Sequence, residues 1–139
     1  MACHGYCLGA GCETVLGAEH VIAAAETYIG LPEVLVGLIP GAGGCKEMLV
    51  RLLEMALAER SRDIFGFVRH AWETIFTAKV SSCAQEAMRI GYLRAPPRAY
   101  VILNPDWLIG EAKAEVQAWI EEGYHPAAAR GAFPGADMS

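Results

Sequence analysis

Two glutamates, Glu13 and Glu33, have the side-chain chemistry and the setting for a reaction. Glu13 follows the turn Gly9-Ala-Gly11, and Glu33 follows Gly30-Leu-Pro32. Two carboxylates flanking a bound substrate can divide acid and base work, provided their surroundings separate their pKa values. Their separation of 20 positions leaves room for a short helix and an extended return. Such a path can bring both acids to one end of a sheet. Most glutamates are solvated surface residues, and spacing alone leaves that reading open.

Other residue sets invite other chemistry. Gly9-x-Gly11 after a strand-like run suggests a dinucleotide turn, but Thr14 stands at the third glycine position and no alternating βαβ series follows. Cys3, His4, Cys7 and Cys12 could suggest zinc. On an alternating strand, however, Cys3 and Cys7 share one face while His4 points to the other. Without a Cys-x-x-Cys pair, packing is the better reading, and no metal site is expected. Pro40-Gly-Ala-Gly-Gly44 before a helix could cradle phosphate, yet it ends in Cys45-Lys46, not Lys-Ser/Thr. A tight turn and helix entry is the plainer reading.

The elements that must position these residues can be traced along the chain. Ala2 to Leu8 reads as a strand, Gly9 to Gly11 as a turn, and Cys12 to about Ala18 as a short helix. His20 to Ala25 and Tyr28 to Gly30 read as extended pieces, and Val34 to Ile39 is apolar. After Gly44 the pattern becomes helical. Met48, Leu49, Leu52, Leu53 and Ala56 form an apolar side, while Glu47, Arg51 and Glu54 mark a polar stripe. Lys46 and Arg51 are read as solvated helix residues. A second helix after Ser61 places Ile64, Phe65, Val68, Trp72, Ile75 and Phe76 on one face, as core or interface. Ser82-Cys-Ala-Gln85 reads as a capping box for a short helix ending at Gly91. Pro96-Pro97 forces a loop, and Asn104-Pro105-Asp106 opens a last helix that stops at Gly123. Residues 124–139, rich in alanine, glycine and proline, read as a disordered tail. The β-capable part comes first and the helical part second, an α/β arrangement.

The bulk numbers narrow the function classes. The 139 residues are one domain's worth, 54% hydrophobic and only 19% charged, with mean hydropathy +0.28. Some apolar surface is therefore expected to face another chain, and a homo-oligomer is the simplest expectation. Net charge −5 argues against nucleic acid and anionic membrane as partners. Five cysteines without framework spacing, and an apolar start lacking a basic region before it, suit a reducing cytoplasm.

GYCLGAGCE followed by GLPEVLVGLIPGAGG resembles the crotonase family, the enoyl-CoA hydratases and isomerases. The resemblance is strongest to the hydratase region of bacterial proteins fused to a 3-hydroxyacyl-CoA dehydrogenase. AAAETYIGLPEV, GLIPGAGGCKEM, AKVSSCAQEAMRIGYLR and NPDWLIGEAKAEVQAWIEEGYHP carry it. The match is poorest between about Leu52 and Trp72. It implies an incomplete crotonase-like fold over residues 1–123, a small β-layer followed by a helical half. It also implies a coenzyme A thioester as substrate, with no separate cofactor. Glu13 and Glu33 would hold the water and handle its proton, one as base and the other as acid, Ala10 N–H would serve an oxyanion hole, and Leu38, Pro40, Gly41 and Gly43 would border the acyl pocket. Where the family has glycine, Ala10 adds a Cβ to the turn. The family's second oxyanion donor and much of its CoA surface lie on an earlier loop, so an N-terminally truncated member is expected. Two functions stay open: a hydratase or isomerase-type enzyme with weak turnover as an isolated chain, and a self-associating remnant or acyl-CoA-binding module without turnover.

Overall fold

The computed structural model describes residues 1–96 and 99–126. Strand β1 (Ala2–Leu8) leads directly into helix α1 (Ala10–Gly17), and strand β2 (Val21–Gly30) returns beside β1 in parallel. The hinge is Gly9, at φ 57° and ψ −124°, a conformation that a side chain would strain. Its N–H donates to Gly30 O at 3.0 Å, tying the turn to the end of β2. Helix α1 starts at Ala10, two residues earlier than its sequence suggests. The two extended pieces expected around residues 20–30 form one strand with an irregularity inside it. Cys3 pairs with Ala23 but Gly5 with Thr27, so β2 carries extra residues there. Gly5 takes φ 63° at this point, and buried Thr27 donates its hydroxyl to Ala24 O at 2.6 Å.

A third strand, β3 (Ala99–Ile102), pairs in parallel with β2 from Val21↔Ala99 to Ala24↔Ile102. The sheet order is β1-β2-β3. Its late position departs from the β-first, helix-second reading. Ala-Tyr-Val-Ile is too short and too close to two prolines to announce a strand, and its long-range partner decides it. With neighbours on both sides, β2 buries Val21, Ile22, Ala23, Ala24 and Ile29.

A 3₁₀ turn, Glu33–Val36, follows Pro32, and helices α2 (Gly44–Ala58), α3 (Ile64–Phe76) and α4 (Ala84–Ile90) come next. Met48 and Leu52 of α2 join Val15, Leu16, Ile29, Leu31, Tyr92 and Leu93 in the core. Arg51 is not solvated: it is 3% exposed, donating to Leu16 O at 2.6 Å and to Tyr92 O at 3.0 Å. It thereby satisfies a carbonyl in the last turn of α1 and fastens α2 to the segment after α4. The Phe65–Trp72–Phe76 face of α3 points outward, at 75%, 59% and 58% exposure, while Ala71 and Thr74 are buried.

Gly30 makes room for the chain leaving α3. A Cβ there would sit 2.8 Å from both Lys79 O and Val80 Cγ2. Ser81 then closes on β2, its N–H donating to Ile29 O and its Oγ accepting from Ile29 N, both at 2.9 Å. The cap of α4 is one residue later than expected. Cys83 Sγ accepts from Glu86 N, and Glu86, not Gln85, accepts from the Ser82 N–H and hydroxyl. Asn104 does cap its turn, accepting from Asp106 N at 3.0 Å. A 3₁₀ turn (Pro105–Trp107) and helix α5 (Leu108–Glu121) follow. Helix α5 rests on the sheet through His20, which stacks on Trp119 at 4.8 Å and pairs with Glu115 at 3.3 Å. Tyr124 stacks on Trp119 and bonds to Glu19. The expected disordered tail lies otherwise outside the described residues. Among them, no helix is long and apolar enough to cross a membrane.

Candidate carboxylate site

Glu13 stands in the first turn of α1 and is 8% exposed. Its Oε1 accepts from Ala42 N at 2.8 Å and Gly44 N at 2.9 Å. These amides belong to the Pro40–Gly44 turn and the start of α2, where backbone N–H groups have no intrahelical partner. The glycine-rich turn thus holds a carboxylate of its own chain. Gly43, at φ 109°, sets the turn. A Cβ on Gly44 would lie 3.0 Å from Glu13 Oε1 and 2.7 Å from Pro40 Cβ, so close approach demands glycine there.

Glu33 opens the 3₁₀ turn after Pro32. Its Oε1 would lie 3.5 Å from a Cβ placed on Gly9, which puts the carboxylate against the strand-to-helix hinge. Its Oε2 is buried and has no hydrogen-bond partner among the described residues. An ionisable oxygen left unsatisfied in this way is a mark of functional positions. Ala10, beside the same hinge, is the first residue of α1, and no side chain caps that end. Its N–H belongs to the set that a helix leaves for an outside acceptor.

The two acids share a neighbourhood. Burial pushes the Cys12 thiol up, and Glu33 and Glu13 both add to the rise. The Cys45 thiol, in the first turn of α2, is raised by burial and then by Glu13 and Glu33. Glu13, Glu33 and Ala10 therefore gather where β1 and β2 end.

Next to Glu33, at Val34, opens a cavity of about 340 Å³, within the range of small-molecule sites, whose lining includes neither glutamate nor Ala10. Leu38 and Pro40 line it, together with Cys45, Leu49, Trp72 and Phe76. Gly41 and Gly43 stand instead in the turn that presents amides to Glu13. Sequence reasoning missed the α3 aromatics as cavity wall, although their shared helical face was visible. It also missed the amides of Ala42 and Gly44, for which a backbone donor leaves no residue-type signal. Among the described residues no group of three or more His, Cys, Asp and Glu could hold a metal ion. The five cysteines are unpaired.

Residues 1–64 match the enoyl-CoA hydratase/isomerase family model. The chain is 38% identical over 122 residues to a Bacillus subtilis (strain 168) protein named "Probable 3-hydroxyacyl-CoA dehydrogenase", covering 88% of this chain and 15% of that relative. An enoyl-CoA hydratase from Bacillus anthracis superposes with TM-score 0.61 at 27% identity, over 82% of this chain and 36% of its own. A carnitinyl-CoA hydratase from Mycobacterium avium gives TM-score 0.60 at 28% identity, over the same shares. The chain thus spans little more than a third of these solved relatives and less of the curated one.

Proposed function

The chain belongs to the enoyl-CoA hydratase/isomerase family, and on that premise we propose that it binds the acyl part of a 2-enoyl-CoA thioester beside Glu13 and Glu33. The observation that carries this reading is the convergence of both carboxylates and the Ala10 N–H at one end of the sheet, next to an apolar cavity. In hydration, a water oxygen adds to the β-carbon and its proton passes to a carboxylate, while the α-carbon takes a proton from a carboxylic acid. Glu33, with its unpartnered buried oxygen, suits the group that handles the water proton. Glu13, anchored by two amides, is fixed in place as the second. Ala10 N–H would meet the thioester oxygen as negative charge develops there.

Turnover by the isolated chain is proposed to be weak. Among the described residues Ala10 N–H is the one donor assigned to the oxyanion, and an oxyanion hole reduced by one donor loses about 10²–10³ in rate. A binding module without turnover is the second reading, favoured by the double hydrogen bond that occupies Glu13 Oε1. Self-association is proposed as well, supported by exposed Leu35, Val36, Leu38, Ile39, Phe65 and Trp72. The five free thiols agree with a reducing compartment such as the cytoplasm.

Loss of the conjugated thioester absorbance of a short enoyl-CoA tests the catalytic reading, with Glu13→Gln and Glu33→Gln run in parallel. Activity abolished by either change supports it; activity indifferent to both removes it. Saturable acyl-CoA binding without turnover selects the second reading.

A further inference from the structure

A second cavity, of about 490 Å³, opens between the C-terminal half of α2, Met88 of α4 and the segment after α4. It shares no lining residue with the cavity beside the carboxylates. Two arginines enter its wall. Arg51 spends Nη1 and Nη2 on the carbonyls of Tyr92 and Leu16, and its Nε is buried without a partner among the described residues. Arg94, with its side chain 10% exposed, is tied through Nε to Glu54 Oε2 at 3.2 Å, and its Nη2 is buried without a partner among the described residues. Two buried guanidiniums therefore each carry a donor for which the described residues supply no acceptor, an arrangement that costs free energy until an acceptor arrives.

The charge in the wall is unbalanced. Among the described lining residues there are two guanidiniums, Arg51 and Arg94, against one carboxylate, Glu54. Burial, followed by the repulsion from Arg94, lowers Arg51 to about 10 against the opposing pull of Glu47 and Glu54, which still leaves it cationic at neutral pH. A single negative charge would relieve this repulsion. The rest of the wall is apolar, with Met55, Met88 and Leu93 facing the space. Thioether side chains adapt readily to the shape of a flexible guest.

We propose that this cavity binds a small organic carboxylate with an apolar body, its carboxylate on Arg51 and Arg94 and its chain along Met55, Met88 and Leu93. Guanidinium and carboxylate match as planar partners, and one carboxylate offers acceptor oxygens to both unpartnered donors. A phosphate monoester would bring close to two negative charges beside Glu54, which lines the same wall. The proposal stands apart from the carboxylate site and from any turnover there.

Methionine methyl resonances of the whole chain, labelled with ¹³C, read the cavity directly, because Met55 and Met88 line it. Titration with octanoate is expected to shift both signals saturably. Octan-1-ol, of equal length and no charge, is expected to bind about tenfold more weakly, the loss of one charge-assisted contact. Arg94→Gln should weaken octanoate by a similar factor, and Ala58→Trp, which fills the mouth from an exposed position, should abolish the shifts. Octyl phosphate should bind less tightly than octanoate. Absence of shifts at about 10 mM octanoate, a range that captures even millimolar affinity, overturns the proposal. Equal binding of octan-1-ol, or tighter binding of octyl phosphate, overturns the carboxylate assignment.

Discussion

Glu13 reaches from the first turn of α1 to Gly44 at the first turn of α2, accepting its N–H at 2.9 Å. One carboxylate oxygen therefore joins two helices and also fixes the Pro40–Gly44 turn, through Ala42 N at 2.8 Å. The candidate acid is at once a structural cap, and its two roles can be separated by substitution.

Glu13→Gln keeps an acceptor of the same shape but removes its charge. It should lower unfolding free energy by about 1 kcal/mol, the difference between charge-assisted and neutral hydrogen bonds. Glu13→Ala leaves the two amides without their acceptor and should cost about 2–4 kcal/mol. Urea denaturation of the three proteins measures both. Equal stability of all three would show that the cap does not matter.

Gly44→Ala should be destabilising by about 1–3 kcal/mol, the range for forcing a methyl into a filled space. Its Cβ would meet Pro40 Cβ at 2.7 Å, Glu13 Oε1 at 3.0 Å and Leu31 Cδ2 at 3.1 Å. Gly11→Ala is the control, because nothing lies within 4 Å of its Cβ. That change places alanine inside α1 and should leave stability unchanged or raise it by about 0.5 kcal/mol. Thermal unfolding should rank Gly11→Ala above wild type and Gly44→Ala below.

Arg51→Met removes the donors that serve Leu16 O and Tyr92 O. Two buried carbonyls lose their partners while the apolar stem is retained, so a loss of about 2–4 kcal/mol is expected. Hydrogen exchange should localise the effect to the C-terminal turn of α1 and the residues around Tyr92. An effect spread evenly over the molecule would contradict that placement.

Glu86 gives the fold an acid-sensitive point. Bonds from the Ser82 hydroxyl and then its N–H, followed by the bond from Lys79, lower its carboxyl to about 2, against an ordinary value of 4.5. A depressed folded-state pKa stabilises the fold above pH 4.5, and this contribution disappears as pH falls from 4.5 to about 2. Glu86→Gln should therefore be less stable than wild type at neutral pH, with the gap closing across that window. Urea midpoints measured at stepped pH will show it; a constant gap rejects the assignment.

Thiol reactivity follows burial. Cys45 is exposed in the first turn of α2, whereas Cys3 and Cys12 are 4% and 0% exposed. Burial also pushes the Cys3 thiol up to about 12, so little thiolate forms at neutral pH. Mass spectrometry after brief iodoacetamide treatment should find Cys45 alkylated and Cys3 and Cys12 intact. All three should react in urea.

The sequence by itself determined the local parts. Gly9 marked the hinge, Asn104-Pro105 marked a helix entry, and Glu13 and Glu33 stood out by residue type and setting. These depend on neighbours a few residues apart, and local conformational preference is written in residue type. The long match through GYCLGAGCE and GLIPGAGG added the family.

Tertiary structure alone decided the rest. Ala99–Ile102 became a strand because β2 offered it an edge. Arg51 went inside because Leu16 and Tyr92, 35 and 41 positions away, needed a donor. The α3 aromatics turned outward because Ala71 and Thr74 took the buried side. The glycine-rich turn serves Glu13 because its amides meet a carboxylate 29 and 31 positions earlier. Contacts of this range depend on how whole elements pack and which backbone groups remain unsatisfied, and neither can be read from a local run of residues.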